Sequence, residues 1–123
     1  MKAYSSLGER ETVIFDEVVT NVGSGYDVNN GIFFCPINGI YIFAATMASA
    51  DNNKNLDAEI VHQGKIVARL HATVYGYDMG SQVAMVQCQQ GEKVWIRHME
   101  SAGDSKIVPA GYSGFSGALL HSM

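Results

Sequence analysis

The sequence is poor in charge and has no long apolar run, and each shortage excludes a class of protein. Only 16% of the 123 residues are charged and the formal net charge is -4, which excludes the dense basic surface that phosphate binding requires. No run of about 18 apolar residues occurs, so the sequence predicts no membrane-spanning helix. No basic start is followed by an apolar stretch, so no signal peptide is visible. We therefore expect no binding to nucleic acid and no insertion into a membrane.

Cysteine is also scarce. The two cysteines, Cys35 and Cys88, are too few for a disulfide scaffold and too isolated for a zinc site. Cys35 lies just before an apolar segment at residues 39–50, and Cys88 ends another at residues 82–88. If these segments are antiparallel neighbours, the two sulfurs can meet. The residues alone leave a disulfide and two buried thiols open as alternatives.

Catalytic patterns are absent from the sequence. The four histidines show no paired metal-binding spacing. No Gly-x-Ser-x-Gly elbow occurs, and no nucleophile has a plausible base nearby in the sequence. We therefore predict that the protein is not an enzyme and that it holds no catalytic metal.

Thirteen glycines and two prolines separate short runs rich in Val, Ile, Tyr, Phe and Thr, a pattern typical of many short strands. Residues 55–62 and 65–75 alternate between apolar and polar around a glycine turn, which predicts a hairpin with one wet face. Residues 39–50, residues 82–88 and the C-terminal strand are apolar on both faces. One sheet thus has a solvent-exposed polar face, and the other is apolar on both faces. This pattern predicts a sandwich in which another copy of the chain covers the apolar outer face.

Several residues and stretches carry a resemblance to a known family. Spaced aromatic residues and an Asn precede a Gly-x-Tyr-x-Phe stretch, at Phe15, Asn21, Tyr26, Phe33, Gly39, Tyr41 and Phe43. This spacing resembles that of the globular-head domain of complement component 1q. The stretches "QQGEKVWI" and "GFSGALL" also resemble the family's glycine–acid turn and its terminal strand. The sequence departs from the family at Ala45, where a further aromatic is usual. The resemblance covers about residues 4–120.

The resemblance implies an all-β fold, a ten-strand antiparallel jelly-roll sandwich shared with tumour necrosis factor-like ligands. It implies a single globular-head domain over residues 1–123 and a compact homotrimer, with one sheet of each subunit facing the threefold axis. The family often has an unpaired cysteine at the position of Cys35 and an aliphatic residue at that of Cys88, which favours two buried thiols. The residues expected in the trimer interface or core are Tyr41, Phe43, Ala44, Met85, Phe115 and Leu119.

Two long polar and aromatic loops, residues 73–81 and 97–114, are the expected ligand site, because loops on a rigid sandwich are where binding residues gather. Sugar recognition needs aromatic faces and planar polar groups, and an acidic sugar also needs a cation or paired donors for its carboxylate. For any single residue, an ordinary solvated loop is the alternative interpretation. The candidate ligand-binding residues are Tyr75, Tyr77, Asp78, Arg97, His98, Glu100, Asp104, Lys106 and Tyr112.

Residues 49–57 place acidic and amide side chains at alternate positions, as at the start of a calcium loop. Leu56 stands where that loop needs glycine, and His62 stands where it needs a bidentate acid. We therefore interpret the segment as a polar turn. Because some relatives bind calcium, the resemblance leaves Asp51 and Asp78 as candidate calcium ligands, and no other cofactor is expected.

The predicted function is that of a secreted, non-enzymatic recognition module. Relatives suggest innate-immune pattern recognition, or lectin-like binding of microbial carbohydrate ligands including sialic acids. The sequence contains neither a Gly-X-Y repeat nor heptads, so we expect a head-only form like many invertebrate members, which argues against complement activation. The alternatives are a tumour necrosis factor-like signalling ligand for a cell-surface receptor and a structural matrix protein.

Overall fold

The computed structural model describes residues 6–7, 12–15, 25–49, 56–72, 79–98, 105–108 and 113–123. Within these ranges the chain is entirely strand, turn and irregular structure, as predicted, and no helix is long and apolar enough to cross a membrane. The strands are β1 (Ser6–Leu7), β2 (Tyr26–Asp27), β3 (Ile32–Phe34), β4 (Gly39–Ser49), β5 (Leu56–His62), β6 (Lys65–Ala72), β7 (Met79–Cys88), β8 (Lys93–His98), β9 (Ser105–Val108) and β10 (Gly114–Ser122).

The strands form two antiparallel sheets of five strands each. In the first sheet, β4 pairs with β7 and β10 along most of its length and with β9 at its end, and β9 pairs with β1. The second sheet has the order β2-β3-β8-β5-β6. The predicted hairpin at residues 55–75 corresponds to β5 and β6, which pair directly around the turn between His62 and Lys65.

The core lies between the two sheets. Alternate residues of β4 are buried, and fully buried Phe43 shares one cluster with Ile60 of β5 and Ile96 of β8. Burial of a side chain of this size contributes about 1.5–3 kcal/mol to folding. Because strand side chains alternate between faces, burying this set of β4 places Ile42 and Ala44 on the opposite face of the first sheet.

Aromatic rings connect the two sheets through the core. Phe43 lies 5.4 Å from Phe33 and 5.8 Å from Phe115 between ring centroids, and Phe115 also contacts the rings of Phe15 and Tyr26 at 6.1 Å and 6.2 Å. Such pairs contribute about 0.5–1.5 kcal/mol each beyond the area they bury. The spaced aromatic residues of the sequence therefore act in packing.

Both tyrosines of that aromatic set have hydrogen-bond partners, as buried hydroxyl groups require. The Tyr26 hydroxyl accepts a bond from the Phe15 N–H at 2.9 Å, and the Tyr41 hydroxyl donates to the Ile37 carbonyl at 2.7 Å. Burial raises the pKa of the Tyr26 hydroxyl, with a smaller opposing effect from the Phe15 N–H. Both polar tips are thus accommodated at the edges of an apolar core.

Gly31 and Gly39 are required for two different reasons, one of backbone conformation and one of close packing. Gly31 has a φ of +76°, in the left-handed region that side chains disfavour. Gly39 is required by close approach instead: a Cβ there would lie 2.5 Å from the His121 carbonyl oxygen and 2.6 Å from the Leu119 side chain. Gly39 therefore allows β10 to pack directly against β4.

Cys35 and Cys88 form a disulfide with Cα atoms 6.5 Å apart, so the prediction of two buried thiols is wrong. The pairing of β4 with β7 places Cys88 opposite Gly39. A bend at residues 36–38 separates Cys35 from Gly39, and Cys35 lies beside Cys88. The Cys35 N–H donates to the Glu92 carbonyl at 2.9 Å. The condition for a disulfide, that the strands ending near the two cysteines are antiparallel neighbours, is therefore met. The resemblance, which favours an unpaired cysteine at the position of Cys35, does not predict this bond.

Candidate functional site

The two predicted ligand loops connect strand ends that lie together at one end of the sandwich. We call it the loop end, and it is defined by the last residues of β4, β6 and β8 and the first residues of β5, β7 and β10. Gly80 of β7 lies against the backbone of His71 of β6 and joins the two sheets there. The Cα pairings that mark this end are Leu56 with Ala72, Ala58 with His98, Ala48 with Met79, and Thr46 with Gly114.

Most of the predicted ligand residues fall outside the described residues, so their placement stays a prediction. Lys106 is described by its backbone only, which pairs with Ser6 where β9 meets β1, so it lies in a strand and not in the predicted loop. The predicted residues that lie outside the described ranges are Tyr75, Tyr77, Asp78, Glu100, Asp104 and Tyr112, together with the calcium candidate Asp51.

Arg97 and His98 do not belong to a loop, because β8 continues to His98. His98 is fully buried, so the prediction that its side chain contacts a ligand is wrong. The Arg97 Nε donates to the Glu59 Oε1 at 2.7 Å, which holds the guanidinium against the sheet. The sequence predicts the end of this strand too early, because a charged residue followed by a polar one resembles the start of a loop.

Glu59 is a buried carboxylate on the polar face of the hairpin, where the alternation of residues 55–62 predicts a solvent-exposed side chain. It is only 4% exposed, and the Nε of Arg69 lies 3.6 Å from its second oxygen. Cross-strand pairing sets Arg69 of β6 and Arg97 of β8 on either side of it. The pairing of three strands, which a single sequence does not reveal, creates this cluster.

Replacing Glu59 by alanine is expected to destabilise the fold by about 3 kcal/mol, because Arg97 would be left partly buried without its carboxylate. Asp57→Ala is the matched control, since Asp57 forms a more exposed pair with His71 on the same face and should cost less than about 1 kcal/mol. Urea unfolding of the three proteins measures both values. Equal losses for the two variants would contradict this role of the Glu59 cluster.

The outer face of the first sheet is apolar and exposed in the single chain, as the two-faced strands predicted. Val83 and Met85 of β7 are 57% and 66% exposed. Their cross-strand partners on the same face are Ala44 and Ile42 of β4, and Ala118 of β10 continues the row beside Ile42. We call these five residues the apolar outer face. A contiguous exposed surface of this kind marks an interaction site.

The six residues predicted for the interface or core divide between the two faces of the first sheet. Tyr41 and Phe43 are buried in the core and Phe115 packs against it. Ala44 and Met85 belong to the apolar outer face. Leu119 pairs opposite Tyr41 at the sheet edge and remains partly exposed.

The end of the sandwich opposite the loop end is closed by the disulfide and by a histidine–carboxylate pair. The His62 Nε2 lies 3.0 Å from the Glu92 Oε1, and the Gln89 N–H donates to the same carboxylate oxygen at 2.8 Å. The Gln89 N–H and then His62 hold the pKa of the Glu92 carboxyl below its usual range. We call this the disulfide end, defined by Cys35, His62, Cys88 and Glu92.

Comparison with known proteins agrees with this architecture. A model of the C1q domain family matches residues 1–120. The chain is 30% identical over 112 residues to mouse complement C1q tumor necrosis factor-related protein 3, a match that spans 88% of this chain and 44% of that protein. The chain thus spans less than half the length of this relative.

Solved structures share the fold at low sequence identity. The globular domain of zebrafish complement 1qA covers 99% of this chain and 94% of its own, with a TM-score of 0.76 and 16% identity. Eiger, a tumour necrosis factor of S. frugiperda, covers 98% and 85% with a TM-score of 0.71 and 11% identity. The C-terminal domain of the sugar-binding protein EclA covers 96% and 80% with a TM-score of 0.51 and 8% identity. The jelly-roll topology, the aromatic spacing and the family match over residues 1–120 together make this chain a member of the C1q domain family.

Proposed function

We propose that this chain is a non-enzymatic, extracellular recognition module that assembles as a homotrimer and binds glycans of microbial surfaces at the loop end. The observation that carries the proposal is that the apolar outer face and the loop end are separate surfaces of the sandwich. One sheet presents the apolar outer face for assembly, and one end gathers the strand ends that support the polar and aromatic loops. Rigid strands with variable loops are the usual arrangement of a binding protein.

Assembly accounts for the apolar outer face. Exposed Val83 and Met85 are costly in water, and burying them against another subunit removes apolar area at roughly 25 cal/mol per Å². The small side chains of Ala44 and Ala118 allow close approach of a second subunit. The trimer that the family resemblance implies buries this face around a threefold axis.

The sequences of the loops and of β9 supply the chemistry for sugar binding. Tyr75, Tyr77 and Tyr112 offer aromatic faces, and Asp78 and Lys106 offer hydrogen bonds and a cation for an acidic sugar. Because a trimer presents three copies of the loop end on one rigid body, weak single contacts give high avidity. The fold shared with the sugar-binding domain of EclA supports the proposal without identifying a ligand.

A glycan array that includes sialylated and microbial glycans tests the proposal. We expect a signal from the assembled protein that falls about tenfold or more in Tyr77→Ala and Lys106→Ala. Each substitution removes a direct contact in every subunit, and a tenfold loss of affinity corresponds to about 1.4 kcal/mol. Lys65→Ala is the control, since it removes the same charge from an exposed residue at the turn between β5 and β6.

Absence of glycan binding from a trimer on a dense array would contradict the glycan proposal. The similarity of the fold to a tumour necrosis factor gives the alternative of a signalling ligand. In that case the trimer would bind a cell-surface receptor in a manner that does not depend on glycans, and glycosidase treatment of cells would leave binding unchanged.

A further inference from the structure

We propose that the disulfide end is a redox-gated binding site for Zn²⁺ or a similar divalent cation. In the oxidised protein the Cys35–Cys88 bond closes the site, and a thiol or phosphine reductant opens it by releasing two sulfur ligands. The cation then binds to the two sulfurs, to the His62 imidazole and to the Glu92 carboxylate. This inference does not depend on the proposed function, because it concerns the opposite end of the sandwich.

Three of the four donor atoms already lie close together, and the fourth is bonded to one of them. Ligand atoms of His62, Cys88 and Glu92 all lie within 4.8 Å of one another, and the sulfur of Cys35 is bonded to that of Cys88. Tetrahedral zinc with bonds of about 2.0–2.3 Å requires ligand atoms roughly 3.3–3.8 Å apart. Small side-chain movements bring the donors to this spacing once the sulfur–sulfur bond is broken.

Backbone hydrogen bonds hold the donors on one frame that does not depend on the disulfide. The Cys35 N–H donates to the Glu92 carbonyl at 2.9 Å, and the Gly91 N–H donates to the Cys35 carbonyl at 2.8 Å. Cys88 ends β7, which pairs with β4, and His62 ends β5, which pairs with β8. The four ligands are therefore expected to stay together after reduction, as a metal site requires.

The chemistry of opening and binding balances for either reductant. A phosphine reduces the disulfide together with one water molecule, which yields two cysteine thiols and the phosphine oxide. A dithiol reductant transfers two electrons and two protons to the disulfide, which yields two cysteine thiols and the oxidised cyclic reductant. Zinc binding then displaces both thiol protons to water and forms two metal–sulfur bonds. A sulfur, nitrogen and oxygen donor set of this kind suits zinc, which has no geometric preference of its own.

The environment favours a cation in the reduced state. Cys35 and Cys88 are each 1% exposed, so two thiolates there would be uncompensated buried charges beside the Glu92 carboxylate. A divalent cation offsets two of these three negative charges. The His62 and Glu92 side chains remain 19% and 29% exposed, which provides a path from solvent to the site. In oxidising surroundings the disulfide keeps the site closed.

Cobalt binding to the full chain tests the proposal, because Co²⁺ bound by thiolates in a tetrahedral site has a strong near-ultraviolet charge-transfer band. The protein is reduced with a phosphine, freed of reductant without oxygen, and titrated with Co²⁺ and then Zn²⁺. We expect one ion per chain in the reduced protein, no thiolate–cobalt band in the oxidised protein, and displacement of Co²⁺ by Zn²⁺. Zinc should also raise the melting temperature of the reduced chain.

Variants distinguish a four-ligand metal site from metal binding by two free thiols alone. His62→Ala and Glu92→Gln should each weaken binding by about tenfold or more, since each removes one of four ligands. His71→Ala is the matched control, because His71 forms a similar histidine–carboxylate pair with Asp57 on the same sheet without a nearby cysteine, and its binding should be unchanged.

Three results would overturn the proposal. The first is a reduced chain that stays folded by circular dichroism and shows no thiolate–cobalt band. The second is a reduced chain that unfolds and is not refolded by Zn²⁺. The third is binding that is equally strong in the oxidised protein or in both ligand variants, since the ion would then not depend on the four-residue site.

Discussion

Ala44→Glu is expected to convert the assembled protein into a monomer, which light scattering would record as a fall from three times the chain mass of 13.3 kDa to that mass. Ala44 lies on the apolar outer face, opposite Val83. In a trimer the new carboxylate would be buried without a partner, at a cost of several kcal/mol per subunit. A cost of about 4 kcal/mol weakens association about a thousandfold.

A second substitution and a charge control make this result specific. Met85→Glu places the charge on a side chain that is largely exposed in the single chain, so it should leave the monomer fold intact while it also blocks assembly. Gln90→Glu adds the same charge in an exposed turn and should remain a trimer. A wild-type monomer at micromolar concentration would refute the trimer, and a trimeric Met85→Glu protein would place the interface elsewhere.

Removal of the disulfide by the Cys35→Ala, Cys88→Ala double substitution is expected to cost roughly 4 kcal/mol of stability. The bridge joins residues 53 positions apart, and closing a loop of that length lowers the entropy of the unfolded chain by about this amount. For a chain of this size the melting temperature should fall by about 15 °C. Calorimetry at one fixed protein concentration measures the change, because assembly also contributes to the melting temperature.

The reduced wild-type protein provides the comparison for the double variant. In the presence of a metal chelator, which keeps the disulfide end free of zinc, its melting temperature should fall to nearly that of the double variant. A fall of less than about 3 °C in both proteins would show that the backbone hydrogen bonds between Cys35 and the turn at Glu92 hold this end without the covalent bond.

Local patterns in the sequence were sufficient for the strands and their faces. The alternation of residues 65–75 predicts which side of β6 is buried, and Leu70 and Ala72 are indeed buried while Arg69 and His71 are exposed. The doubly apolar pattern of residues 39–50 predicts that β4 has an apolar face outside the core. Both predictions succeed because side-chain direction in a strand repeats every two residues and needs no knowledge of distant partners.

Pairing between distant strands decided the features that sequence reasoning missed. Glu59 is buried because Arg69 and Arg97 come from two different neighbouring strands, and His98 is buried because β8 extends through Arg97 and His98, the first two residues of the predicted loop. Register decides which residues become neighbours, and neighbours decide whether a charge is paired or exposed.

The sequence by itself determined the all-β class, the buried and exposed faces of its strands, and the aromatic spacing of the C1q domain, because these depend on residue type and local periodicity. The tertiary structure alone decided that Cys35 meets Cys88 and that His62 and Glu92 lie beside them. These four residues come from segments up to 57 positions apart, from Cys35 to Glu92. Only the antiparallel pairing of β4 with β7 and of β5 with β8 brings them to one end of the sandwich.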